Sequence, residues 1–238
     1  MLNAPSGPFL GVIGGMGPAA TADFLAKLVQ ARGATRDQDN IPILVWGDCR
    51  IPDRTVALGK DRASVAAPLA SAARSLVALG AVALVIPCNT AHAWATEIEA
   101  ATSLRLLHIA DAVVEHVRHL DVPRVGLLAT TGTLAAKLYE LRFSRASIDC
   151  TTPNENEQES VMQAIALVKA GRLDTARRLA REVLNALRAR GAARTILACT
   201  ELPLILADEA DVVDTTRCLA DYATAWWMAK YDHAPAPG

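Results

Sequence analysis

Apolar positions along the chain alternate between short continuous runs and longer stretches in which they recur every three or four residues. The short runs, rich in β-branched residues, predict strands at 9–13, 43–46, 83–86, 104–109, 125–129, 147–151 and 195–198. The periodic stretches predict helices at 19–32, 64–79, 90–101, 113–117, 134–143, 158–169, 173–190 and 214–230. Alternating strands and helices are typical of an α/β protein whose parallel sheets are covered by helices on both faces.

The pattern of the first half begins again in the second half, where a glycine-rich segment again accompanies the first strand. Cys88 follows the strand at 83–86, Cys199 follows the strand at 195–198, and a threonine comes soon after each cysteine. Either two generic strand–turn–helix units are alike by chance, or the chain contains two similar domains. In the second case we expect two Rossmann-like domains with parallel four-stranded sheets flanked by helices, related by a pseudo-two-fold axis. Because such sheets bind ligands at the carboxyl ends of their strands, the interdomain cleft would hold the active site, with one thiol on each wall.

Composition and charge narrow the function class. The 238 residues are 52% hydrophobic and 21% charged, which is typical of a compact globular protein rather than a disordered chain. A formal net charge of −1 gives no general attraction to nucleic acid or to an anionic membrane, so we predict neither partner. No apolar segment reaches the roughly 18 residues of a membrane-spanning helix, and residues 1–8 lack the features of a secretory signal. We therefore expect a cytoplasmic protein that acts on a small molecule, with a frayed tail at 234–238.

The five cysteines are odd in number, widely spaced and without a CxxC pair, which disfavours a zinc site or a disulfide framework. A cysteine in a reducing compartment is by default a small buried hydrophobe, and a functional interpretation must outweigh this default for each of the five separately. Cys88 and Cys199 differ because each lies between a strand and a helix or turn, whose backbone N–H groups can lower a thiol pKa.

Two thiols on opposite sides of a substrate suit a racemase. Inverting an amino acid at its α-carbon needs one group that removes the proton and another that returns a proton on the opposite face. Because the reverse reaction exchanges these roles, the two groups should be chemically alike, as a thiolate and a thiol are. Polar groups after the strands are candidates for binding the α-carboxylate, where negative charge develops: they are Asn89, Thr90, Thr131, Thr133 and Thr200. The sequence has no pyridoxal-type lysine motif and no metal-ligand cluster, so we predict neither a cofactor nor a metal.

Four further polar residues have both a structural and a functional interpretation. Arg54 and Lys169 are either surface cations or a clamp for a side-chain carboxylate of the substrate. His92 either pairs with the thiol of Cys88, one helical turn away, or is an ordinary histidine at the start of a helix, which is the commoner case. Glu201 either orients the neighbouring thiol or caps a turn.

Taken together, these residues resemble the aspartate/glutamate racemase family, and most closely its aspartate racemase branch. Seven segments carry the resemblance and follow one another in the expected order along nearly the whole chain: Gly-Gly-Met-Gly-Pro at 14–18, Arg-Asp-Gln-Asp at 36–39, Ile-Pro-Asp-Arg-Thr at 51–55, Pro-Cys-Asn-Thr-Ala-His at 87–92, Gly-Leu-Leu-Ala-Thr-Thr-Gly-Thr at 126–133, Lys-Ala-Gly at 169–171 and Cys-Thr-Glu-Leu-Pro at 199–203. The two cysteine segments are the specific ones.

The resemblance implies a fold, a cofactor-free activity and a site. It implies a homodimer of chains with two α/β domains, one at 108–212 and one at 1–107 completed by the last helix at 213–238. Cys88 and Cys199 would be the paired acid and base, and Arg54 and Lys169 would bind the distal carboxylate of aspartate. The remaining substrate-binding candidates lie in the matching segments or border them: they are Met16, Arg50, Gly132 and Glu201.

A few positions bear on the identity of the substrate. Glutamate racemases carry an acidic residue in the first glycine turn and a histidine after the second Cys-Thr pair, where this chain has Met16 and Glu201. Aspartate racemases usually have Asn-Pro-Gln before Ile-Pro-Asp-Arg, where this chain has Asp48, Cys49 and Arg50. Arg50 would suit a dicarboxylic substrate, and Asp48 would oppose one.

We expect aspartate as the substrate. The alternatives are a glutamate or broad-specificity racemase and a maleate isomerase or decarboxylase of the same superfamily, but the presence of both cysteines favours racemisation.

Overall fold

The computed structural model describes residues 7–232, which form two parallel sheets and the helices that cover them. The strands are β1 (Phe9–Gly14), β2 (Ile43–Gly47), β3 (Ala81–Val85), β4 (Arg124–Ala129), β5 (Asp149–Thr151), β6 (Arg194–Ala198) and β7 (Val212–Asp214). The helices are α1 (Pro18–Arg32), α2 (Arg54–Lys60), α3 (Ala63–Ala78), α4 (Ala95–Thr102), α5 (Ile109–Arg118), α6 (Thr131–Ala135), α7 (Glu140–Arg145), α8 (Glu155–Lys169), α9 (Leu173–Ala189), α10 (Pro203–Leu206) and α11 (Thr215–Tyr231). The predicted frayed tail at 234–238 lies outside the described residues. So do residues 1–6 and 233–238, which the predicted first domain includes.

The first three strands of each half are arranged in the same way. β1 lies between β2 and β3, and β4 lies between β5 and β6, with every neighbouring pair parallel. β7 extends the second sheet beyond β6. This repeated strand order confirms the predicted fold class of two similar α/β units. It also means that β3 and β6, the strands that precede Cys88 and Cys199, hold equivalent positions in their sheets.

The first sheet has three strands rather than the predicted four. The segment predicted as a strand at 104–109 pairs only through one parallel bridge, between Leu84 and Leu106. The N–H of Leu106 donates to the carboxylate of Glu99 at 3.1 Å, and the side chain of His108 already caps the start of α5. Too few residues therefore remain between α4 and α5 for a regular ladder.

Other boundaries also differ from the sequence prediction. The helix predicted at 134–143 is divided into α6 and α7, because Lys137 between them has a left-handed backbone with φ of 49°. The helix predicted at 90–101 begins as a 3-10 turn, Thr90–Trp94, before it continues as α4. Neither β7 nor α2 is predicted from the sequence. The first turn of α2 is capped by the carboxylate of Asp53.

Helices bury apolar side chains against both faces of each sheet. On one face of the first sheet, Leu10 of β1 packs with Phe24 of α1 and with Leu219 and Trp227 of α11. α3 covers the opposite face, while α5 and α7 cover one face of the second sheet and α8 and α9 the other. The last helix of the chain therefore lies against the first sheet, in contact with α1 and α5. No helix within the described range is both long and apolar enough to cross a membrane.

The cluster between α11 and the first sheet leads to a prediction about stability. Leu219 is fully buried in this cluster, whereas Met228 on the same helix is 39% exposed. Replacing Leu219 with alanine leaves a cavity and should lower the free energy of unfolding by about 2–5 kcal/mol, whereas Met228→Ala should change it by less than about 1 kcal/mol. Urea denaturation followed by circular dichroism measures both variants. Equal losses would contradict the assignment of Leu219 to the core.

Candidate active site

A small cavity lies beyond the carboxyl ends of β3 and β6, and both halves of the chain contribute to its walls. It is lined by Met16, Asp53, Arg54, Thr55, Cys88, Asn89, Thr90, Thr130, Lys169, Cys199, Thr200 and Glu201. Its volume is about 20 Å³, which is room for roughly one water molecule. An amino acid does not fit into this space, so the cavity is in a closed form and its walls must separate to admit a ligand.

The walls meet through α2 and α6. A Cβ atom added to Gly132 would lie 2.8 Å from Oγ1 and 2.9 Å from Cα of Thr55, so the close approach requires glycine. Beside this contact, Oγ1 of Thr90 lies 2.8 Å from Oγ1 of Thr130 and 3.0 Å from Oγ1 of Thr133. Because Thr90 belongs to the first half and the other two hydroxyls to the second, these hydrogen bonds stabilise the closed form.

Both cysteines that the sequence predicts as catalytic line the cavity, where they are 6% and 5% exposed. Burial raises the pKa of the Cys88 thiol, while the positive charge of Arg54 opposes that rise. The Cys199 thiol donates a hydrogen bond to Oε2 of Glu201 at 3.1 Å. Burial, and then the negative charge of Glu201, raise the pKa of Cys199 well above its ordinary value. Arg54 therefore favours the thiolate of Cys88, whereas the charge of Glu201 raises the pKa of both thiols and its carboxylate directly contacts the thiol of Cys199.

The direction of these pKa shifts corrects an expectation from the sequence. We expected backbone N–H groups at helix starts to lower both thiol pKa values, but desolvation in the closed cavity outweighs them. The elements that follow the cysteines are also short: Cys88 precedes the 3-10 turn Thr90–Trp94, and Cys199 precedes the four-residue helix α10. Neither element aligns enough peptide units to offset the burial of a charge.

Arg54 and Lys169 both line the cavity, from the first turn of α2 and the last turn of α8. The guanidinium of Arg54 is held by backbone carbonyls: Nη1 donates to Ile51 O at 3.0 Å and to Pro52 O at 2.8 Å. Its Nε is buried and has no hydrogen-bond partner among the described residues. Lys169 is exposed at the cavity wall. A cation fixed in position, with an unused donor, is suited to binding a carboxylate.

The charges of the cavity wall suit a small zwitterion. Arg54 and Lys169 carry positive charge, and Asp53 and Glu201 carry negative charge. The carboxylate of Asp53 accepts hydrogen bonds from the first turn of α2, whereas Glu201 accepts from the side chains of Cys199 and Thr200. Within the described range, no group of three or more His, Cys, Asp and Glu side chains is arranged to hold a metal ion.

Some residues predicted to bind substrate lie elsewhere. Arg50 is outside the cavity wall: its side chain is 89% exposed, and its Nε donates to Oδ1 of Asp48 at 2.9 Å. Arg50 holds the pKa of Asp48 down at about 2, so the pair stays ionised and the two charges cancel. Thr131 is exposed, and its N–H donates to the sulfur of Met162. Gly132 and Thr133 do not line the cavity but form the contact between its walls.

Three wall residues were missing from the sequence prediction: Asp53, Thr55 and Thr130. Asp53 and Thr130 are the N-cap residues of α2 and α6, since each side chain accepts a backbone N–H of the first turn. An Asp or Thr just before a helix is a recognised capping signal, but α2 was not predicted and α6 was placed too late in the chain. The N-terminal ends of α2 and α6 therefore place Asp53 and Thr130 at the cavity wall.

His92 contacts the backbone of the cysteine segment rather than the thiol. Its Nδ1 lies 2.9 Å from Cys88 O, and Ile109 N donates to its Nε2 at 3.2 Å. Since Nε2 accepts, the ring proton is on Nδ1 and is donated to the Cys88 carbonyl. Burial lowers the pKa of His92 to about 4, which keeps the ring neutral. The histidine is therefore a structural group in the first helical turn, as the commoner interpretation predicted, but it is buried there rather than on the surface.

The two-sheet fold matches that of solved racemase structures. The family model described as Asp/Glu/Hydantoin racemase matches residues 13–223. The chain therefore belongs to this family, as its sequence motifs suggested.

Individual relatives show what the chain is similar to. The structure of aspartate racemase from Picrophilus torridus is 30% identical, with a TM-score of 0.82 over 90% of this chain and 91% of that one. The broad-specificity amino-acid racemase RacX of Bacillus subtilis is 25% identical over 92% of this chain and 98% of its own length. A glutamate racemase of Deinococcus radiodurans is 32% identical over 66% of this chain and 54% of its own length.

The raised pKa values of the two thiols predict the dependence of activity on pH. A thiol acts as a base only after losing its proton, and a raised pKa moves that loss to higher pH. Turnover at low substrate concentration, kcat/KM, should therefore rise with pH between about 7 and 9. Initial rates in overlapping buffers measure the profile, with circular dichroism as the control for folding. A flat or falling profile in this range would contradict the assignment of a thiol as the base.

Proposed function

We propose that this protein is a cofactor-independent racemase that interconverts L- and D-aspartate by proton transfer between two thiols. The observation that carries the proposal is the burial of Cys88 and Cys199 in one cavity, each at the end of an equivalent strand. Membership of the racemase family supports the reaction class. The homodimer, the cytoplasmic location and the domain boundaries at 1–107, 108–212 and 213–238 stay predictions.

The charges beside the two thiols give them different roles in one direction of the reaction. Cys88, beside Arg54, is the thiolate that removes the α-proton, and Cys199, hydrogen-bonded to Glu201, is the thiol that protonates the opposite face. After inversion Cys88 is the thiol and Cys199 is the thiolate, so the same pair serves the reverse direction. Closure of the walls excludes water, which strengthens the interactions of fixed dipoles with the carbanion.

The cations of the cavity favour a dicarboxylic substrate. Arg54 and Lys169 would hold the distal carboxylate, with Arg54 supplying its unused Nε donor. The Asp48–Arg50 pair is internally compensated, so the departure from the usual aspartate racemase loop adds no net charge there. Similarity to RacX favours a broad-specificity racemase as the second candidate.

Hydrogen–deuterium exchange at the α-carbon tests the proposed reaction. The protein is incubated in heavy water with L-aspartate, and separately with other amino acids, without added pyridoxal phosphate. We expect α-deuterium in the substrate by NMR and the D-enantiomer by chiral chromatography, fastest with aspartate. Comparable rates across the panel would favour the broad-specificity candidate. Consumption of maleate or a malonate, with no exchange in any amino acid, would refute racemisation.

The two-thiol mechanism predicts that either cysteine is indispensable. Cys88→Ala and Cys199→Ala should each lower the rate of inversion by at least about 10²-fold, because each variant lacks either the base or the acid. Cys150, half-buried on β5 and outside the cavity wall, provides the control, and Cys150→Ala should retain most activity. Chiral analysis of the products measures all three. A variant of Cys88 or Cys199 that still inverts aspartate at the wild-type rate would exclude this mechanism.

The carboxylate clamp predicts a loss that depends on the substrate. Arg54→Ala should lower kcat/KM for aspartate at least about tenfold more than kcat/KM for alanine, since alanine has no distal carboxylate. The ratio of the two losses distinguishes lost binding of the distal carboxylate from a general loss of folding or activity, which would affect both substrates equally. Lys60→Ala, which removes an exposed cation from the same helix, is the control and should leave the ratio unchanged. Equal losses for both substrates in Arg54→Ala would remove the clamp from the proposal.

A further inference from the structure

The side-chain amide of Asn89 is held at both ends by buried groups outside the cavity wall. Its Oδ1 accepts a hydrogen bond from the Tyr139 hydroxyl, and its Nδ2 donates to Oγ1 of Thr215 at 3.1 Å. Oγ1 of Thr215 in turn donates to Leu197 O at 2.9 Å. Asn89 is 2% exposed, and Tyr139 and Thr215 are fully buried.

The direction of every hydrogen bond in this series is determined by its last member. A backbone carbonyl only accepts, so the Thr215 hydroxyl must donate to Leu197 O and its oxygen is left to accept from Asn89. The amide nitrogen of Asn89 therefore faces Thr215, and its oxygen faces Tyr139. Burial raises the pKa of Tyr139 well above its ordinary value, so the phenol keeps its proton and donates it.

These contacts join four separate segments, and Asn89 is the member that lines the cavity. Asn89 directly follows Cys88, Tyr139 lies between α6 and α7 in the second half, and Thr215 begins α11. Leu197 lies on β6, two residues before Cys199. The series therefore connects the turn that carries one thiol with the strand that carries the other.

An amide NH₂ group has two protons, and Thr215 accepts one of them. The second has no acceptor among the described residues, and Asn89 lines the cavity. We propose that Tyr139 and Thr215 are positioning residues: they fix the Asn89 amide so that its second N–H is donated to the α-carboxylate of the substrate. This inference rests on the racemase function proposed above.

Fixing this donor matters most in the transition state. Removing the α-proton moves negative charge onto the α-carboxylate, so a donor already aimed at its oxygen stabilises the transition state more than the bound substrate. Losing either contact leaves the amide free to rotate about its last side-chain bond, and its donor is then misplaced when charge develops. We therefore expect the loss of kcat to exceed the change in KM.

Hydroxyl deletions in the full-length protein test the inference. Tyr139→Phe and Thr215→Val should each lower kcat for aspartate by roughly tenfold or more, with KM changed by less than about threefold. Thr215→Ser keeps the hydroxyl and should restore kcat to near the wild-type value. Tyr222→Phe is the matched control, because that hydroxyl only accepts a hydrogen bond from Arg105, outside the cavity wall. Its kcat should not change.

A second measurement does not depend on turnover. The side-chain NH₂ signals of Asn89 in a ¹H–¹⁵N spectrum, assigned by their loss in Asn89→Ala, should shift or broaden in Tyr139→Phe and stay in place in Tyr222→Phe. Wild-type kcat in both Tyr139→Phe and Thr215→Val, in a protein that racemises aspartate, would overturn the positioning role alone. If the wild-type protein racemises no amino acid, the proposed function fails. Unchanged Asn89 signals in Tyr139→Phe would overturn, whatever the activity, the inference that Tyr139 fixes the amide of Asn89.

Discussion

The proposed reaction requires two thiols from different sheets to share one cavity, and the rest of the structure is arranged around this constraint. Each thiol follows a strand that holds the equivalent place in its sheet, and both Cys88 and Cys199 line the same cavity. The contact of Gly132 with Thr55 then closes the walls until only about 20 Å³ remains. A larger side chain at Gly132 would hold apart the two walls, and with them the thiols that the proposed reaction needs close together.

Closure also determines the electrostatics of the site. Removing water raises the pKa of both thiols, and the same removal strengthens their interactions with neighbouring charges. Arg54 favours the thiolate of Cys88, whereas Glu201 favours the protonated form of Cys199. Two chemically identical thiols therefore differ through their surroundings, which supports the different starting roles that we propose for them.

The supporting structure behind the cysteines is polar and fully buried. His92 donates to the Cys88 carbonyl, and the amide of Asn89 is fixed between Tyr139 and Thr215. Leaving one of these buried groups without its partner costs about 1–3 kcal/mol, so the network resists rearrangement. We infer that this network moves less than the cavity walls when they separate to admit a ligand.

The sequence by itself determined the alternation of strands and helices, the internal repeat and the two cysteine segments, because each is a local pattern. It also indicated Arg54 and Lys169 through resemblance to a family. Only the tertiary structure decided that Arg50 pairs with Asp48 outside the cavity, and that Tyr139 and Thr215 meet at Asn89. Side-chain direction, desolvation and contacts between distant segments depend on how the two sheets pack together. No local pattern contains that information, which is why the thiol pKa values shifted opposite to the direction that the sequence suggested.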